Sequence, residues 1–401
     1  MYRTAIAFLA LTLTLAAGDW PQWRGPQRDG KSVETGLIQK WPEGGPARKW
    51  KSEGLGYGYS TIAVSQGRIY TMGQRENTEY VLALDEATGK KVWETAAGEA
   101  FNERRGDGPR GVPTIEGDRL WAITADGKLV CLDTKTGKTI WKADFVSQFG
   151  GSIPHWGYSE SPLIDGNKLV VTPGGGGHSV VALDKTTGKL IWKSQSDSAA
   201  YSSVSVATVG PTRLYVAFTA SGAVGLRADN GELLWSYGKV SNRTANVATP
   251  IVSGEHVFLS SDYGTGCALL KLEADGKGVK ATEVYFSREM KNHHATSILH
   301  KDYLYGFNSS ILTAMKWDNG EVAWRDRSTG KGSVVYADGH LIVVGENGVV
   351  ALVTIGTGSY REVSRFSLEL SGKPAWAHPV VANGNLFIRD QNSLYCYRLQ
   401  P

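Results

Sequence analysis

An eleven-residue pattern recurs along this chain: a small residue, Leu, often Asp, then Thr-Gly-Lys, and finally Trp. The clearest copies occupy residues 83–93, 131–141 and 182–192, and weaker ones residues 225–235 and 314–324. A repeat with a period of forty to fifty residues means an array of similar supersecondary units, none of which buries its apolar face alone. The small-residue slot falls at Ala83, Cys131, Ala182, Gly225, about Leu270, Ala314, Ala351 and about Cys396, in steps of 37 to 51 residues. That makes eight units. The fifth is degenerate and the seventh lacks its Trp.

Each unit reads as four short strands. In the third, a strand at Leu163 and Ile164 is followed by a turn at Asp165-Gly166-Asn167 and a second strand from Lys168. A third strand ends in the Ala-Leu-Asp slot, Thr-Gly-Lys turns the chain, and the fourth strand carries Trp. Runs of this length joined by Gly, Asp and Asn turns make antiparallel meanders. Eight meanders predict an all-β, eight-bladed β-propeller, which closes radially and leaves only short edges. The 49 Gly, 13 Trp and 17 Tyr residues suit that class. The eighth unit has room for only three strands before Pro401. Residues 47–51 resemble a fourth strand with Trp50 in the Trp position, so the ring is expected to close there.

Three regions follow. Arg3, an apolar run over residues 4–15 and the small residues Ala16, Ala17 and Gly18 read as a secretory signal over 1–18. The mature chain is then expected to be exported, periplasmic or extracellular. Residues 19–46 form a leader rich in Pro and Gly whose Trp20 and Trp23 should pack on the ring, and residues 47–401 form the propeller. A monomer is expected. The formal charge of +4 is small for 401 residues and has no Lys/Arg cluster, which argues against nucleic acid as a partner. Cys131 and Cys396 sit where other repeats carry Ala, and a small buried hydrophobe suits that slot better than a reactive thiol.

The repeat resembles the PQQ-like (pyrroloquinoline-quinone-like) repeat of two groups. One is the eight-bladed quinoprotein dehydrogenases; the other is the cofactor-free, partner-binding outer-membrane assembly factor BamB. The resemblance implies that Trp93, Trp141, Trp192, Trp235 and Trp324 dock neighbouring blades. Two departures stand out from the dehydrogenases, which hold the quinone against adjacent disulfide-bonded cysteines beside a Ca²⁺ ion. This chain has no adjacent cysteines, and no local pattern marks a Ca²⁺ site, although Glu160 and Asn246 are of the right type.

Chemistry in a propeller sits where the segments before the innermost strands converge on the channel mouth. Those segments hold Tyr57, Arg104, Arg110, His155, Trp156, Glu160, Tyr201, Asn246, His293, His294, Trp376 and His378. Aromatics with convergent polar groups suit a pocket, and the arginines suit a carboxylate, as in a quinone acid or an acidic peptide. The adjacent His293 and His294 would point oppositely on a strand, a poor start for zinc, and no metal site is expected. Residues 173–178 are Gly-rich but lead into a strand and lack Lys-Ser/Thr, so they read as a hairpin loop. Two functions remain open. One is a non-catalytic scaffold binding a protein or ligand on a ring face. The other is a PQQ-dependent dehydrogenase oxidising an alcohol or sugar with Ca²⁺ and an external electron acceptor.

Overall fold

The computed structural model describes residues 18–356 and 358–401. Residues 1–18, expected to be a signal, lie outside them but for Gly18. The described chain forms eight four-stranded antiparallel sheets arranged as the blades of a propeller. The first blade runs outward through Ala63–Ser65, Arg68–Arg75, Thr78–Asp85 and Lys91–Glu99. Its innermost strand is buried throughout, whereas the outermost alternates towards solvent. The eighth blade takes Val380–Ala382, Asn385–Asp390 and Ser393–Arg398 from the end of the chain and Arg48–Ser52 from its beginning. Trp50 pairs with Cys396, so the ring closes through the strand at Trp50.

The repeat can be read as atoms. In Asp-x-x-Thr-Gly, the Asp85 carboxylate accepts from the amide and hydroxyl of Thr88, and Asp133 and Asp184 do the same for Thr136 and Thr187. The glycine that follows has φ near +70°, at Gly89, Gly137 and Gly188 alike. It also lies flat under the indole of the preceding blade: a Cβ on Gly137 would stand 2.6 Å from Trp93. Glycine is therefore required twice, for its backbone angle and for its missing side chain. The indole then donates to a carbonyl of the next blade, Trp93 to Thr134 at 3.0 Å, Trp141 to Lys185 at 3.2 Å and Trp192 to Ala228 at 3.1 Å. Trp324 donates to Gly356, and Trp50 to Glu86 across the closure.

The fifth blade departs from this scheme. Its slot is Leu269, one residue before the sequence reading, and Tyr285 pairs with it in the Trp position. The ring of Tyr285 lies over Gly320 as the indoles lie over their glycines. In the seventh blade Phe366 fills the gap, covered by Trp41 of the leader at 5.5 Å. Cys131, Cys267 and Cys396 are free and buried.

The leader crosses the ring axis. Between Trp20 and Ser32 it reaches the innermost part of every blade. Trp20 bridges Val64 in the first, and the Pro21 carbonyl accepts from Ile115 in the second. Arg28 donates to carbonyls of Ser161 and Pro162 in the third and Val204 in the fourth. Trp23 donates to Thr249 before the fifth and packs edge-on against His378 before the eighth. Arg24 donates to Thr296 and Ser297 before the sixth, and Ser32 to Tyr336 in the seventh. A segment touching all eight blades from inside has to fill the channel.

Candidate functional site

On one side of this filling the channel mouth stays open as a cavity of about 150 Å³. Trp23 of the leader lines it, and Trp23 meets His378 with ring centroids 4.6 Å apart. Its walls are mainly aromatic. Tyr59 packs on Trp376 at 5.0 Å, and Trp156 on Tyr201 at 5.6 Å. His294 stacks on Trp376 at 5.6 Å, while His293 lies between Trp376 and Tyr263 and meets the Tyr263 hydroxyl at 3.2 Å.

Of the twelve residues expected at the mouth, Arg110, Trp156, Tyr201, His293, His294, Trp376 and His378 line this cavity. Five do not. Tyr57 bridges Gln74 and points to solvent, and Arg104 is exposed, its carbonyl held by Lys373. His155 is exposed beside Trp156. Glu160 turns back to accept from the Thr172 amide at 2.6 Å. Asn246 is consumed by its own loops: its amide donates to Thr219 and Ala220, and its oxygen accepts from Asn242 and Ser261.

Sequence reasoning missed Trp23, Tyr59, Tyr263, Glu103 and Arg105 among the lining residues. Tyr263 belongs to a turn between a second and a third strand, outside the segments searched. His293 and His294 precede the strand Ile298–His300 and do not lie in it, so strand alternation does not separate them. Both reach the cavity.

The site is uncharged at its floor. Burial drives His378 down to about 4, and burial likewise holds His294 well below the usual imidazole range, with smaller contributions from the nearby His378, His293 and Lys331. Burial lowers His293 too, assisted by Lys331. These rings are therefore neutral at neutral pH. His294 has neither ring nitrogen hydrogen-bonded, and His293 leaves Nδ1 free. Arg110 spends its guanidinium on the carbonyls of Gly106 and Gly108 and lies over Phe101 at 5.0 Å.

Among the described residues no group of three or more His, Cys, Asp or Glu side chains could hold a metal ion. Glu160 and Asn246 are committed as above, and burial pushes the Glu160 carboxyl up to about 8, so it is protonated at neutral pH. Glu103 is the one carboxylate in the cavity wall, and it accepts from the Arg105 amide. This donor set does not fit a Ca²⁺ ion, which takes six to eight oxygen ligands.

Over 142 residues the chain is 33% identical to the quinohemoprotein alcohol dehydrogenase ADH IIB of Pseudomonas putida. That match covers 33% of this chain and 19% of the dehydrogenase, about a fifth of that relative's length. A BamB of Shewanella oneidensis is 23% identical over 370 residues, covering 86% of this chain and 87% of its own. The crystal structure of BamB from Moraxella catarrhalis superposes with a TM-score of 0.63 at 15% identity, covering 88% of this chain and 99% of that one. At that identity the likeness is one of fold. The family model described as outer membrane protein assembly factor BamB matches residues 77–326, well over half of the chain, and with its eight repeat-built blades the chain belongs to that PQQ-like repeat family.

Proposed function

We propose that this propeller is a non-catalytic binding protein that docks a partner on the ring face holding the aromatic pocket, in the manner of an assembly factor. The observation that carries this reading is the pocket itself. It is aromatic, neutral at its floor and backed by the chain's own leader, with a single carboxylate in its wall. Such a site suits binding and orientation more than proton transfer or metal chemistry. Family membership and the near full-length likeness to BamB support it. The proposal places the mature chain outside the cytoplasm, on the reading of residues 1–18 as a signal, with residues 19–46 and 47–401 as leader and ring. No helix among the described residues is long and apolar enough to cross a membrane.

A quinone-dependent dehydrogenase is the second reading. It is favoured by the identity to ADH IIB. The poor fit of the pocket to Ca²⁺ weighs against it. One experiment separates the two: the mature protein is mixed with pyrroloquinoline quinone and Ca²⁺. Quinone absorbance and dye reduction are then followed with a panel of alcohols and sugars. Tight binding with turnover overturns the scaffold reading, and the absence of both overturns the dehydrogenase.

A further inference from the structure

The charges around the pocket restrict what it takes. Arg105 lines the mouth and is exposed. Arg104 next to it is exposed, and Lys373 reaches over to the Arg104 carbonyl from the loop before Trp376. Arg243, two residues before the lining Ala245 in the loop that leads into the fifth blade, is exposed. Among the described residues none of these four cations takes part in an ion pair. The acids of the same loops are tied locally: Glu103 to the Arg105 amide, Asp107 to the Glu103 amide and Asp262 to the Ser309 hydroxyl. Those bonds leave the three carboxylates charged, so these loops set four unpaired cations against three anions, a net positive rim around a ring-lined interior whose histidines are neutral.

The interior selects differently from the mouth. A cation in it would face Arg105 and Arg110 and would find one carboxylate, Glu103, which already holds the Arg105 amide. A carboxylate in it would find only neutral imidazoles and the committed Arg110. A flat ring gains from edge-to-face and offset contacts with Trp156, Trp376 and Tyr201.

Resting on the scaffold reading above, we infer that the partner's contact element is an acidic peptide segment that lodges one aromatic side chain, Trp or Tyr, in this pocket while its flanking carboxylates meet Arg104, Arg105, Arg243 and Lys373. The geometry is that of an anchor residue in a pocket, the arrangement in which a few side chains carry most of the binding energy. Bidentate arginine–carboxylate contacts at the rim would fix its orientation.

The test uses the mature chain and three blocked pentapeptides in calorimetric titrations: Glu-Glu-Trp-Glu-Glu, Lys-Lys-Trp-Lys-Lys and Glu-Glu-Ala-Glu-Glu. The first is expected to bind at least about tenfold tighter than either other, about 1.4 kcal/mol. That preference should shrink at an ionic strength of about 1 M, where the screening length is about 3 Å. Arg105→Glu with Arg243→Glu, both at exposed positions, should abolish or reverse the preference for the acidic peptide. Equal binding of the acidic and basic peptides, or of the Trp and Ala peptides, overturns the inference. So does failure of all three to bind when the quinone also fails, and the scaffold reading then survives alone. Quinone binding with turnover removes that reading itself.

Discussion

The indole of Trp235 lies over the Cα of Gly225, its cross-strand partner, so closely that a methyl group there would overlap Nε1. The corresponding pairs in the third and first blades are Ala182 with Trp192 and Ala83 with Trp93, and there the indole nitrogen reaches the next blade. Trp235 Nε1 is buried without a partner. The cause is the fifth blade. Its outer hairpin, Gly266–Asp275 with Gly278–Ser287, turns beyond the level where a Thr-Gly turn would present a carbonyl. Glycine at 225 is thus matched to a defect one blade away. Gly225→Ala should cost about 1–3 kcal/mol by overpacking and lower the thermal midpoint by about 1–2 °C per kcal/mol. A midpoint unchanged within error would show that Trp235 moves freely to another rotamer.

The leader makes its own prediction through Arg24. Its guanidinium is buried, which lowers it to about 10, still charged at neutral pH, and every bond it makes goes to a carbonyl. Two of these are in the leader, at Arg28 and Asp29, and two in the sixth blade, at Thr296 and Ser297. Arg24→Met keeps much of the volume but strands four acceptors, each costing about 1–3 kcal/mol if left dry. The variant should melt lower by at least about 3 kcal/mol in chemical denaturation, and the leader should become the first site of limited proteolysis. Wild-type protease resistance would mean that Arg24 is not what holds the leader in the channel.

How much of this was legible follows from where the information lies. The blades could be counted because Ala-Leu-Asp and Thr-Gly-Lys-Trp each serve a local purpose that recurs: a tight turn, a flat glycine and an indole above it. Closure at Trp50 was legible for the same reason. The path of the leader was not. Trp23, Arg24 and Arg28 meet residues more than a hundred positions away, in blades that share no motif with the leader. The pocket fell in between. Tyr57 was expected and Tyr59 found, because Gly56 and Gly58, with φ of +84° and +151°, break the two-residue alternation that would have ranked them. Glu160 and Asn246 had the right chemistry for a ligand site, and only their hydrogen bonds reveal that they are spent on loops.

Glu160 also gives the fold a pH signature. Burial raises its folded-state value to about 8 from an ordinary value of 4.5. The folded protein therefore holds one more proton than the unfolded chain between those limits. Its stabilising contribution is complete below about pH 4.5 and is lost as pH rises through 8, by up to about 1.4 kcal/mol per pH unit. Glu160→Gln keeps an oxygen for the Thr172 amide and removes the titration. Relative to wild type, the variant should gain stability steadily from pH 5 to pH 8 in parallel denaturant titrations. His378 slopes the other way: lowered to about 4, its contribution is present above about 6.5 and lost as pH falls. It is common to both proteins and cancels in the difference. A constant difference across the range would place Glu160 in contact with solvent or a compensating charge.

Trp23 joins the two halves of the molecule, since it belongs to the leader and lines the pocket. Its indole nitrogen donates to Thr249 at 2.9 Å, and its ring meets His378 edge-on. Trp23→Ala should remove about 3–5 kcal/mol of packing and leave an indole-shaped extension below the existing cavity. That extension opens into the pocket, so a small ring can enter it from solvent. Free indole at a concentration a hundred times its dissociation constant would then restore about 2.7 kcal/mol, read as a rise in melting temperature. Wild type should show a smaller rise, because there indole can occupy only the outer pocket. Benzene should rescue less than indole, since it has no N–H for the Thr249 hydroxyl. Equal shifts in wild type and variant would mean that the ring collapses around the missing side chain, and that the leader does not set the depth of the pocket.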